Sequence, residues 1–400
     1  MQEACAIITK NPLRATLWTG LVALALAGCA SSHDRIRQAD TELKHHVDRG
    51  YLTDVRRTTV SSHDTWTIGP DAVDISLMIP SGDEAYPLVI YLPGLGESST
   101  AGLAWRRAWA EAGYAVLSMQ PANLGPAVWS SELARAGDFQ TLAKDRFSAH
   151  SLAKRLTILR GIFAELNRRQ RDAGAGPFRH LDLSRVAVAG FDLGAETAML
   201  VAGEQVGSIE AQRFPEAVKS VIALSPYADF SGMGVERLFR SIHLPVLSVT
   251  SPEDTDPYGL VTSAAVRRAP FQYMPPGRKY LLILSAAPHS LISGQPQPAA
   301  EGKPDQTGRG ERSSQDSADK QPRSGGRRGG RGSRGRGMAE RPSSPRDGPS
   351  SATWMMQLAN VEGMTTAYLD ATVKNDPVAW EWLQKDAKRW LGESAQLFSK

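Results

Sequence analysis

The chain has 400 residues, 41% hydrophobic and 22% charged, with 46 Lys and Arg against 42 Asp and Glu for a formal charge of +4. Twelve of the basic and seven of the acidic residues fall between Gln295 and Ser351, leaving the other 343 residues at 34 against 35. This excludes a basic fold built around nucleic acid, and the composition excludes a chain that is membrane-embedded or unfolded throughout.

Only two cysteines occur, Cys5 and Cys29, both near the N-terminus. A disulfide framework, a cysteine zinc site and a cysteine nucleophile in the body of the chain are therefore excluded. Lys10 and Arg14 precede the single long apolar run, Leu17 to Ala27, which is too short to span a membrane and ends in Leu26-Ala27-Gly28-Cys29. A basic start, an apolar centre and small residues at the cut predict an export signal over 1–28. Leu-Ala-Gly-Cys is also similar to the bacterial lipobox. That resemblance implies a lipid anchor at Cys29 and, with Ala30 next, a place in the cell envelope at the outer membrane.

Residues 29–54 are polar and read as a tether with room for one short helix, and His45 and His46 as a solvated pair rather than a metal site. From 55 to 293 the pattern turns regular. Val73, Ile75, Leu77 and Ile79 alternate with other residues, as in a strand with one buried face. Short apolar runs at 88–92, 114–119, 186–189, 221–224, 246–249 and 280–284 read as covered central strands. Helical stretches at 103–112, 139–171 and 197–203 separate several of them. Alternation of this kind predicts an α/β fold, a mostly parallel sheet flanked by helices. Trp105 and Trp109, four apart, are expected in its core.

Residues 294–351 are rich in Gly, Arg, Ser and Pro, with Ser324-Gly-Gly-Arg-Arg-Gly-Gly-Arg-Gly-Ser-Arg-Gly-Arg-Gly337 at their centre. Such a segment buries too little to offset its ordering entropy and is expected to be a disordered insertion. Helical spacing resumes over 352–400, where Met364, Tyr368, Leu369 and Val373 and then Trp380, Leu383 and Leu391 are expected to complete the core.

Four words carry chemistry. Val186-Ala-Val-Ala-Gly190-Phe-Asp192-Leu193-Gly194-Ala195 takes a buried strand through a two-glycine turn into a helix. Leu92-Pro-Gly94-Leu95-Gly96-Glu97-Ser98 follows an earlier buried strand. Glu253-Asp254-Thr255-Asp256 ends another, with Asp254 the best-placed acid and Asp256 and Glu253 its rivals. Ala286-Ala-Pro-His289-Ser290 holds the one histidine at the end of a core strand.

With these words in this order, residues 58–293 and the helix near 360–392 resemble α/β-hydrolases of the dienelactone-hydrolase, cutinase and polyester-hydrolase type. Only about 20 residues, Tyr227 to Leu244, separate two of the core strands, too few for a large cap domain, and the resemblance implies an oxyanion hole from the backbone N–H groups of Leu95 and Leu193 and a nucleophile–acid–histidine set at Asp192, Asp254 and His289. No phosphate-binding loop, dinucleotide fingerprint or metal-ligand spacing stands out, so no cofactor and no metal are expected. The departure is Asp192, where the family carries serine. Three readings follow: a hydrolase of small or polymeric ester-like substrates using an Asp-Asp-His constellation; a catalytically inactive relative that binds a ligand or partner; and an Asp-nucleophile hydrolase of the dehalogenase or epoxide type. Trp129 is a candidate for the cleft border, and Glu97 and Glu196 for local charge balance. Nucleic acid is not an expected partner, and oligomeric state is not legible.

Overall fold

In a computed structural model of the chain, strands β1 (Thr59–Ile68), β2 (Asp71–Pro80), β3 (Tyr86–Leu92), β4 (Ala115–Pro121), β5 (Leu181–Phe191), β6 (Val218–Leu224), β7 (Val246–Thr250), β8 (Lys279–Leu284) and β9 (Ala395–Ser399) form one sheet. Their order is β1-β2-β4-β3-β5-β6-β7-β8-β9. The structure describes residues 34, 37–51, 56–172, 176–207, 214–227, 234–261, 263–296 and 350–400. All of them belong to one of the chain's two compact units, Met1–Gln297 with Pro349–Lys400. Neighbours from β4 through β8 pair in parallel, whereas β1–β2, β2–β4 and β8–β9 pair antiparallel. The fold is α/β with a mostly parallel sheet.

Successive side chains of a strand face opposite sides of a sheet, so a strand covered on both faces reads as an unbroken apolar run. In β3, Leu88, Ile90 and Leu92 enter one core while Val89 and Tyr91 enter the other. The first core is closed by Leu152, Leu156, Leu159, Ile162 and Leu166 of helix Ala149–Arg171 and by helix Leu193–Ala202. The second is closed by Trp105 and Trp109 of helix Leu103–Glu111 and by Val361, Met364 and Tyr368 of helix Ser351–Leu369. Both tryptophans are fully buried.

The C-terminal part contributes more than a helix. After Ser351–Leu369 come helices Pro377–Lys385 and Ala387–Leu391, and then β9, which extends the sheet beside β8. The stretch 139–171, read as one helix, is two: Phe139–Arg146 and Ala149–Arg171. Ser148 caps the second by accepting the Ser151 N–H, the local bond that favours a break there.

The solvated His45–His46 pair is corrected in one member. A helix over 37–48 leaves His45 exposed and turns His46 inward, where its ring stacks on Trp390 at 4.6 Å and its Nε2 lies 2.7 Å from Asn360 Oδ1. Trp390 Nε1 donates to the His46 carbonyl at 2.8 Å. Tyr51, further along, donates to Asp370 Oδ2 at 2.9 Å. Among the described residues no helix is long and apolar enough to cross a membrane. The export signal and Cys29 lie outside the described residues, as does nearly all of the 294–351 segment.

Candidate functional site

Strands β3, β5, β6, β7 and β8 run the same way, so their C-terminal ends lie along one edge of the sheet. Loops leaving that edge are where open α/β sheets present chemistry. Here they carry Leu95, Asp192, Ser225, Asp254 and His289.

Asp192 sits on backbone at φ 52° and ψ −116°, the one residue between β5 and helix Leu193–Ala202. Only 3% of it is exposed. A non-glycine residue held at positive φ costs of order 1–3 kcal/mol and persists only where its surroundings over-determine it. Two glycines do so. A Cβ on Gly194 would collide with the Leu92 carbonyl, and one on Gly190 would collide with the backbone of Gly194. The helix therefore approaches β3 too closely for any side chain, and the turn between them is forced. The Asp192 N–H is fixed on Leu224 O at 3.0 Å.

The Asp192 carboxylate is held by the two groups named from the motifs. Leu95 N–H makes a long hydrogen bond to Oδ2, at 3.5 Å, and the Leu193 amide, next in the chain, also favours the charged form of the carboxylate. Burial raises the Asp192 pKa, opposed by His289, Arg267 and these amides. Leu95 itself is 3% exposed, its carbonyl receiving the Tyr258 hydroxyl at 3.1 Å.

Of the three rival acids, Asp254 meets the histidine. His289 Nδ1 lies 2.7 Å from Asp254 Oδ1. Asp256 instead accepts the N–H groups of Tyr258, at 2.9 Å, and Val261, at 2.7 Å, as a turn cap. Glu253 is exposed. Asp254 is fully buried, and burial works against its charge. The His289 hydrogen bond, the Arg267 guanidinium and the Ser225 hydroxyl nevertheless hold its pKa below the ordinary carboxylate value. With Nδ1 committed to Asp254, Nε2 is the nitrogen left for proton transfer; it makes no hydrogen bond among the described residues. The ring packs on Phe191 at 4.7 Å, beside the Asp192 turn.

Three supporting residues had no signal in the sequence. Ser225, at φ 59° after β6, donates to Asp254 Oδ1 and lies 3.0 Å from His289 Nδ1. Thr250 donates to Asp254 Oδ2 at 2.8 Å. Arg267, 1% exposed, reaches Asp254 Oδ2 at 3.3 Å and the carbonyls of Asp254 and Ser225 at 3.0 and 2.9 Å. Serine, threonine and arginine in loops are too common to single out. What marks these three is burial, which only the fold reveals.

Around the mouth, Trp129 is 39% exposed, stacks on Tyr258 at 6.3 Å and meets Phe139 edge-on at 6.0 Å. Its ring lies against Gly96, in the loop that carries Leu95. Glu97, half-buried, accepts the Gly94 N–H at 2.8 Å. Burial and then the charge of Asp192 push its pKa up to about 7, against the lowering effect of the Gly94 and Gln295 hydrogen bonds. Glu196 is buried and accepts the Tyr227 N–H at 2.6 Å. Among the described residues no group of three or more His, Cys, Asp and Glu is arranged to hold a metal ion.

No protein-family profile and no curated protein matches this chain.

Proposed function

We propose that the chain adopts the α/β-hydrolase fold and that Asp192 acts as a nucleophile at saturated carbon, forming an alkyl ester that water activated by His289 then opens. Support for the fold is the order of parts. The turn residue follows β5, the acid follows β7 and the histidine follows β8, in a sheet whose strands run β1-β2-β4-β3-β5-β6-β7-β8 before the added β9.

The observation that carries the chemistry is the Leu95 N–H on Asp192 Oδ2, at 3.5 Å, with the Leu193 amide also favouring the charge of that carboxylate. In acyl transfer those two donors must receive the oxygen of the substrate. Here the Leu95 N–H is turned to the nucleophile's own oxygen. When water adds to an ester of Asp192, that oxygen is where the negative charge develops, so the hole is already filled by the atom it has to stabilise. Attack of Asp192 on a substrate ester would instead move the negative charge to the substrate's oxygen, while the Leu95 N–H stays turned to Oδ2. The ester-hydrolase reading draws less support for this reason.

One turnover in heavy-oxygen water tests the proposal. Heavy oxygen is expected in the Asp192 carboxyl after the ester is opened, and Asp192→Asn is expected to abolish turnover. Label in the product alone, with Asp192 unlabelled, would rule this mechanism out.

The inactive-relative reading is favoured by the 3% exposure of Asp192, which leaves a substrate little approach. It is distinguished by Asp192→Ser. Short-chain ester hydrolysis appearing in that variant, with the wild type silent on esters, haloalkanes and epoxides alike, would make the aspartate an inactivating replacement. On the sequence signature alone we also propose export and lipid anchoring at Cys29, tested by metabolic labelling with a fatty acid and its loss in Cys29→Ala.

A further inference from the structure

We propose that Glu97 is the general acid of this site and that the substrates are epoxides, whose leaving atom is an oxygen that must be protonated. The inference rests on the reading of Asp192 as the nucleophile.

The geometry starts at Gly94. The position a Cβ would take there lies 3.3 Å from Asp192 Cβ and 3.3 Å from Glu97 Oε2. Asp192 Cβ and Glu97 Oε2 are therefore at most twice that distance apart, which sets the acid beside the nucleophile. Glu97 Oε2 is pinned by the Gly94 N–H at 2.8 Å, which fixes the carboxyl at the rim of the same loop that holds Asp192. The titratable groups facing Glu97 are Asp192, His289, Tyr91 and Tyr258. Asp192 disfavours its ionisation and His289 favours it, with burial the larger influence, so the proton is present near neutral pH.

A halide leaves as a weak base and takes no proton. Against it, a carboxyl at the mouth is at best idle and, once ionised, repulsive. An alkoxide leaving group is strongly basic, and a protonated carboxyl within reach is the group it requires. The exposed face formed by Trp129, Tyr258 and Phe139 borders the same loop and suits an aromatic substituent on the ring.

The steps balance. Asp192 Oδ1 bonds to an epoxide carbon as its carbon–oxygen bond breaks, and the Glu97 proton passes to the freed oxygen. Water, giving a proton to His289 Nε2, adds to the ester carbonyl carbon of Asp192. The negative charge on Oδ2 is held by Leu95 and Leu193. Collapse expels the second alkoxide, which takes the His289 proton. A diol leaves, and the remaining proton of that water, released as the Asp192 carboxyl ionises, returns to Glu97.

The test uses the full chain in detergent, with styrene oxide and phenethyl bromide as probes and Glu97→Gln as the variant. Glutamine keeps an oxygen for the Gly94 N–H but carries no transferable proton. With wild type, heavy oxygen from water is expected in Asp192, and kcat/KM for styrene oxide is expected to fall as pH rises through about 7. Glu97→Gln is expected to lose about 10²–10⁴-fold in kcat for styrene oxide and to lose that pH limb, with no matching loss in any phenethyl bromide turnover. If Asp192 becomes labelled but Glu97→Gln matches wild type on styrene oxide, the acid role is overturned and the nucleophile reading stands. If Asp192 is never labelled, the nucleophile reading fails, and this inference with it.

Discussion

Asp254 and Arg267 form a buried pair in which neither member can be removed cheaply. Arg267 is 1% exposed and Asp254 fully buried, and a buried ion stripped of its partner typically costs about 3–5 kcal/mol. Asp254→Ala is therefore expected to lose both activity and about that much stability, read as a fall in the urea midpoint, whereas Asp254→Asn keeps the shape and loses the charge. The sign with pH follows from the lowered Asp254 pKa. A carboxylate that ionises more readily folded than unfolded stabilises the fold fully above its unfolded value, near 3.9. That contribution disappears as pH falls through the lower, folded value. In Asp254→Asn the acid limb of the stability profile is expected to flatten. Gly194 is the second critical residue. Its missing Cβ would strike the Leu92 carbonyl, which belongs to a central strand and cannot give way. Gly194→Ala is expected to cost at least the upper end of the roughly 1–3 kcal/mol seen for overpacking, with Asp192 displaced, so that activity falls further than stability.

At the scale of elements, legibility followed burial. Strands β3 through β8 were readable because each is covered on both faces and spelled in Val, Ile, Leu and Ala. Strand β1, Thr-Val-Ser-Ser-His-Asp-Thr-Trp-Thr-Ile, is an exposed edge with Trp66 its one buried side chain, and its polar spelling hid it. Strand β9 is five residues long with two buried, too short for a pattern. The words that build the candidate site were readable because glycine at 190 and 194 and a lone histidine after a core strand each have a steric or chemical reason. Choosing Asp254 over Asp256, two residues apart, rested on spacing and needed the contact with His289 to decide it. A short helix in the tether was expected, but its docking over 37–48 was least legible, because that depends on Trp390 and Asn360, more than 300 residues away. Burial lowers the His46 pKa, with the Asn360 hydrogen bond opposing and Arg49 assisting. A histidine whose folded pKa is depressed stabilises docking fully above its unfolded value, near 6.5, and loses that contribution as pH falls toward the folded one. Protection factors over 37–51, taken relative to the intrinsic exchange rate at each pH, are expected to fall below about pH 6.5, while those of β3 and β5 hold. Unchanged protection factors across that range would contradict this role for His46.

For the whole molecule, the question is whether 350–400 could be dispensed with as an appendage. Trp354, Val361, Met364, Tyr368 and Leu369 of helix Ser351–Leu369 are all buried, in the core that also holds Trp105 and Trp109. Thr365 accepts the Trp109 indole N–H at 2.9 Å, and Gln357 donates to Ser285 and Ser394 at 3.0 Å each. At about 1.5–3 kcal/mol per buried large apolar side chain, those five amount to roughly 8–15 kcal/mol as an upper estimate. The net stability of a whole domain is of the same size, about 5–15 kcal/mol. Ending the chain at Gln297 is therefore expected to leave no folded product. Removing only 298–348 is a different operation, because both flanks stay in the same compact unit. A flexible replacement of about 12 residues reaches roughly 40 Å when extended. It lowers the closure entropy relative to the longer segment by about 1 kcal/mol, since that cost grows only with the logarithm of length. The shortened chain is expected to melt at or slightly above the temperature of the full one and to keep its turnover. A loss of folding in it, with both flanks intact, would mean that the Arg/Gly-rich segment supplies contacts the core depends on.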